Sequence, residues 1–71
     1  MNQDKQITSS FVRAFRAKNR ITQDDLGKML GFSRSMIAQI ENDMSAITPR
    51  TQKLLKYVIE EYEHENTTRN N

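Results

Sequence analysis

The chain has no cysteine, only two glycines and a single proline, and no apolar run long enough for a membrane helix. Each absence closes off a class. Without cysteine there is no disulfide framework and no thiolate metal site, a composition that fits a reducing compartment. A spanning helix needs about 20 apolar residues, and the opening MNQDKQITSS lacks the hydrophobic segment of a secretory signal. The location expected is therefore cytoplasmic. The scarcity of glycine and proline leaves few interruptions, and no alternation of apolar and polar residues marks a strand. Seventy-one residues make one domain. A domain of that size buries only about 60% of its unfolded surface, a deficit often made up by oligomerisation.

Charge is unevenly spread. Residues 1–20 carry Lys5, Arg13, Arg16, Lys18 and Arg20 against Asp4, a balance of +4. Residues 60–71 hold Glu60, Glu61, Glu63 and Glu65 against Arg69, a balance of −3. A basic body favours a polyanion through counterion release, although an ordinary solvated surface would look similar.

Helical periodicity occurs four times. The first helix is expected from about Thr8–Ser10 to Lys18 or Asn19, with Ile7, Phe11, Val12 and Phe15 on its inner face. The second opens at Thr22, which forms a capping box with Asp25. It turns Leu26, Met29 and Leu30 inward and pairs Asp24 with Lys28 outside. Gly27, at mid-helix, costs about 1 kcal/mol relative to alanine, which suits a place where the third helix comes close. Gly31 ends the second helix in a left-handed conformation, Phe32 turns inward, and Ser33 caps the third.

The third helix spans about Arg34 to Asn42. At about 100° per residue, Met36, Ile37, Ile40 and Glu41 share one side, and Arg34, Ser35, Ala38, Gln39 and Asn42 the other. Exposed helix faces normally carry Lys and Glu. This one offers neutral hydrogen-bonding groups and one arginine, a surface suited to base-pair edges. The fourth helix, capped by Thr48 with Pro49 at its first position, is expected to run to about His64 with Leu54, Leu55, Val58, Ile59 and Tyr62 as its stripe. The end, ENTTRNN, reads as frayed.

Other chemistries find little support. His64 among Glu61, Glu63 and Glu65 reads as a solvated end, so no metal or other cofactor is expected. Ser9, Ser10 and Ser33 have no histidine nearby, so no enzyme is expected. Met29, Met36 and Met44 read as gap-filling residues. Phe11, Phe15 and Phe32 read as core rather than as a stacking platform for single strands.

Taken together, Thr22-Gln23, Leu26, the small residue at 27, Leu30-Gly31, Ser33, Ile37 and Ile40-Glu41-Asn42 resemble the phage repressor and Cro family of helix-turn-helix regulators, the XRE type. Phe15-Arg16 is similar to a Leu-Arg pair of that family, and the likeness covers about Val12 to Leu55. It implies an all-α, four-helix or at most five-helix, lambda-repressor-like domain over residues 8–64, with the helix-turn-helix at 22–42, an N-terminal arm at 1–7 and a polar tail at 65–71. It implies a sequence-specific regulator of double-stranded DNA, a small Cro/C1-type repressor whose third helix enters the major groove. Base contacts are then expected from Arg34, Ser35 and Gln39, with Met36 at the margin touching a thymine methyl. Phosphate contacts are expected from Thr22, Gln23, Ser33, Asn42, Arg50 and Lys53. Arg16 and Glu41 match a structural ion pair. A homodimer on an inverted repeat is expected, rebuilt on Leu55, Ile59 and Tyr62 because family members usually carry a fifth helix for that contact. The other reading is an antitoxin or accessory regulator that uses the same fold to bind a protein partner.

Overall fold

A computed structural model describes the backbone of residues 6–69 and the side chains of residues 6–65. Most of the expected arm and the last two residues of the expected tail lie outside the described residues. Four helices follow in order: α1 (Ser9–Asn19), α2 (Gln23–Leu30), α3 (Arg34–Glu41) and α4 (Pro49–Arg69).

Local chemistry sets most of the helix ends. Thr8 caps α1, its hydroxyl accepting from the Phe11 N–H at 3.1 Å. The Asp25 N–H donates to Thr22 Oγ1 at 3.0 Å while the Asp25 carboxylate accepts from the Thr22 N–H, which completes the capping box of α2. Ser33 accepts from the Met36 N–H at the start of α3, and Thr48 from the Thr51 N–H at the start of α4. Gly31 ends α2 with φ of 79°.

Arg20 and Asp43 also lie in the left-handed region, at φ of 57° and 59°. Arg20 closes α1 there, its N–H donating to the Ala17 carbonyl and its side chain exposed. A Cβ in this conformation costs about 1 kcal/mol, and glycine avoids that cost. Arg20→Gly is expected to raise stability by about 0.5 kcal/mol after the added freedom of the unfolded chain is counted, read as a higher urea midpoint.

The core gathers Ile7, Val12, Phe15, Ile21, Leu26, Leu30, Ile37, Leu55 and Ile59, with Phe32, Ile47, Val58 and Tyr62 packed against it. The Phe15 and Tyr62 rings meet edge to face, 5.7 Å between centroids. Three expectations are corrected. Phe11, Met29 and Leu54 are exposed rather than inward, because each lies at the margin of an inner face that the neighbouring helices do not cover. Leu55 and Ile59 are buried within the chain, so they are unavailable as a dimer surface. Helix α4 also runs past His64 to Arg69, since no glycine or proline follows Pro49 to stop it.

Two polar clamps hold the start of α1 against other elements. The buried Gln52 amide accepts from the Ile7 N–H and donates to the Ile7 carbonyl, both at 2.8 Å, pinning the segment before α1 to α4. The Ser9 hydroxyl lies 2.6 Å from both the Ile40 carbonyl and Asp43 Oδ1, beside the last turn of α3.

Candidate nucleic-acid interface

Helix α3 is amphipathic in an unusual sense. Ile37, Ile40 and Glu41 are buried, whereas Arg34, Ser35, Gln39 and Asn42 are exposed. Met36 is half-buried at the margin between the two sides. The four expected base readers therefore sit on one short helix, and the three polar ones face outward.

Helix α2 packs chiefly against α3. The tight turn at Gly31 brings the two N-termini to one side. Arg16, Thr22, Gln23, Asp24 and Arg34 line an open groove there. Two helix starts with free N–H groups, flanked by two guanidiniums, suit an anion. Of the expected phosphate contacts, Thr22 and Gln23 lie in this groove and Ser33 caps the adjoining helix. Asn42, Arg50 and Lys53 are exposed but are not brought into it. Lys53 instead lines a second groove with Gln6, Ile47, Pro49, Gln52 and Lys56.

Behind the exposed flank of α3 lies a polar hub. Arg16 Nε donates to Glu41 Oε2 at 2.6 Å and Nη2 to Oε1 at 2.9 Å, while Nη1 donates to the Ile21 carbonyl. The Glu41 side chain is only 3% exposed. Burial by itself pushes the Glu41 carboxyl up. Hydrogen bonds from Arg16 and Gln23, with the charges of Arg16 and Arg13, outweigh burial and hold it below the usual carboxylate value. The hydrogen bond to Glu41 likewise raises the Arg16 guanidinium.

Gln23 turns out to be part of the hub, because its Nε2 donates to Glu41 Oε1 at 3.2 Å. Arg13, which the helical wheel sets apart from the inner face, donates to the Glu41 main-chain carbonyl. Nothing in the sequence signals this contact, since the two residues are 28 apart. All three side chains converge on the last residue of α3, so α1 and α2 both hold α3 through Glu41.

Among the described residues no three His, Cys, Asp or Glu side chains gather as metal ligands. No described helix is long and apolar enough to cross a membrane. A family model described as Helix-turn-helix matches residues 12–56, well over half of the chain. No curated protein and no solved structure matches. With the two short helices, the glycine elbow and the exposed polar flank in place, this match makes the chain a member of the XRE-type, Cro/C1-like helix-turn-helix family of DNA-binding regulators.

Proposed function

We propose that the protein is a sequence-specific double-stranded DNA-binding repressor that lays α3 in the major groove. The observation that carries this reading is the composition of the exposed flank of α3: Arg34, Ser35 and Gln39, with no acid among them. Arg34 suits a bidentate contact to guanine O6 and N7, and Gln39 one to adenine N6 and N7. Ser35 donates or accepts with less discrimination, and Met36 meets a thymine methyl at the margin.

Phosphates are held by Thr22 and Gln23 at the start of α2, Ser33 at the start of α3, Asn42 just after it, and Arg50 on α4. Gln23 retains a second Nε2 hydrogen when the first is given to Glu41, so it grips a phosphate without leaving the hub. Two copies on an inverted repeat read half-sites about 34 Å apart, and occupation of a promoter then blocks transcription.

The test begins with selection of bound duplexes from a random pool, in wild-type protein and at fixed salt. Arg34→Ala and Gln39→Ala are each expected to weaken the selected duplex by about 1–3 kcal/mol and to relax preference at one base position. Helix content should be unchanged, since both side chains are exposed. Affinity of the wild type should fall steeply as salt is raised. Equal losses on selected and unrelated duplexes would remove these residues as base readers.

A further inference from the structure

We infer that Ser9 and Arg13, both on α1, are positioning residues for sequence readout: they hold the main chain at the end of α3 and so set where Gln39 meets its base pair. The inference rests on the major-groove reading and adds to it two residues that touch no base.

An α-helix ends in carbonyls that lack an intrahelical partner. Beyond α3 the chain itself meets two of them. The Met44 N–H donates to the Gln39 carbonyl at 2.8 Å and the Asp43 N–H to the Ile40 carbonyl at 3.2 Å. The Glu41 carbonyl is met from α1, by a terminal guanidinium nitrogen of Arg13. The buried Ser9 hydroxyl stands 2.6 Å from the Ile40 carbonyl and equally from Asp43 Oδ1. Ser9 therefore spans the end of the helix and the left-handed residue that follows it.

Charge agrees with this arrangement. The C-terminus of a helix carries partial negative charge and favours a cation near its last turn. Helix α3 has no basic residue in that turn, and it ends on Glu41. Arg16 answers the Glu41 carboxylate, and Arg13 answers the carbonyl. The cation that the helix lacks comes from its neighbour.

These bonds differ in kind from the ion pair. Arg16 and Gln23 hold α3 by the Glu41 side chain, whose rotatable bonds let the backbone shift beneath it. Ser9 and Arg13 hold main-chain oxygens. Among the described residues, they are the side chains of another helix that bond the main chain of α3. The start of α3 is fixed separately, by the Ser33 cap and by the turn folded onto Gly27. Freed at its end alone, α3 would swing about its start. Gln39 lies about 7.5 Å beyond Arg34 along the axis, so Gln39 would move further.

Binding of a selected duplex by the full chain, well below the melting point, tests this. Arg13→Met keeps the stem and removes the donor, and Ser9→Ala removes the hydroxyl without changing any charge. Arg13 is exposed, so its variant is expected to stay folded by circular dichroism. Each variant should lower the ratio of affinity for the selected duplex to affinity for an unrelated one. The expected loss is about tenfold for Arg13→Met and about threefold for Ser9→Ala, within what one bidentate base contact supplies. It should fall at the base position that Gln39→Ala relaxes, while the position that Arg34→Ala relaxes keeps its preference. Arg13→Lys, which still carries a cation to the carbonyl, should recover most of the ratio. A purely structural role would lower the melting temperature and leave the ratio intact. A phosphate contact by Arg13 would weaken both duplexes alike and reduce the salt slope by about one, whereas the slope is expected to stay unchanged. An unchanged ratio for either variant, an equal loss on both duplexes, or a loss at the Arg34 position instead would overturn the inference and leave the major-groove reading standing. A wild type with no preferred duplex would overturn both.

Discussion

Replacing Glu41 with alanine is expected to cost about 3 kcal/mol of folding stability. The cost arises from what is left behind. Arg16, with a side chain only 22% exposed, would keep the Ile21 carbonyl but lose both carboxylate oxygens. Gln23 would lose its acceptor as well. A domain of this length has a total stability of about 4–10 kcal/mol, so a large fraction goes, and the melting temperature should fall by about 15 °C. Arg16→Ala should be at least as severe, because Glu41 is the more deeply buried partner. Replacing both by apolar residues of similar size should recover much of the loss, since neither charge then needs compensation. Urea unfolding of the two single variants and the double variant measures the coupling directly. A cost below about 0.5 kcal/mol for Glu41→Ala would demote the pair to an ordinary surface contact.

The same residue gives the acid limb of stability its sign. The folded-state carboxyl is held below its usual value, whereas in the unfolded chain it returns to that value. The stabilisation is therefore complete above the ordinary glutamate range and is lost as pH falls through the lower, folded-state value. Glu41→Gln should flatten that part of the profile.

Much of the fold was legible because it is local. The inward positions Val12, Phe15, Leu26, Leu30, Ile37, Ile40, Leu55 and Ile59 follow from helical periodicity, and all are buried. The caps at Thr22, Ser33 and Thr48 and the left-handed Gly31 need only their sequence neighbours, and they stand where the residue types put them. Periodicity gives a direction, however, and not what lies in that direction. Phe11 and Met29 point near the inner side and find no neighbour to cover them.

The polar contacts were far less legible. Arg13 to Glu41, Ser9 to Asp43 and Gln52 to Ile7 join residues 28 to 45 positions apart. No local pattern encodes them, because each depends on how the helices dock. Arg16 with Glu41 was reached through resemblance to a family, and the shape of the domain brings the two together. Gln23 shows the limit most clearly. Its residue type suits a phosphate, and its position at the start of α2 favours one, yet its amide also lies beside a buried carboxylate that only the folded chain supplies.

Gly27→Ala is expected to cost about 2 kcal/mol, even though alanine is the better helix former by about 1 kcal/mol. A Cβ built at Gly27 would stand 2.6 Å from the Phe32 carbonyl oxygen and 3.4 Å from the carbonyl carbons of Phe32 and Ser33. These are backbone atoms, so no rotamer change relieves the contact. The turn is folded onto this residue, with the Phe32 N–H donating to the Gly27 carbonyl at 2.8 Å. Room for a methyl group must come from moving Phe32 and Ser33, and Ser33 caps α3. Gly27→Val, bulkier and β-branched, should exceed 3 kcal/mol or prevent folding. Gly31 is the useful contrast. Its φ of 79° penalises any side chain, but nothing lies within 4 Å of a Cβ there, so Gly31→Ala should cost only about 1 kcal/mol. The order of the two is the prediction: the glycine inside α2 matters more than the glycine at its end. Thermal unfolding gives the stabilities. Affinity for a selected duplex, measured well below the melting point, should fall for Gly27→Ala beyond the loss seen for Gly31→Ala, because displaced Phe32 and Ser33 carry Arg34 with them. A Gly27→Ala protein as stable as the wild type would mean that α2 and the turn can part without strain, and the close approach would then have no role in placing α3.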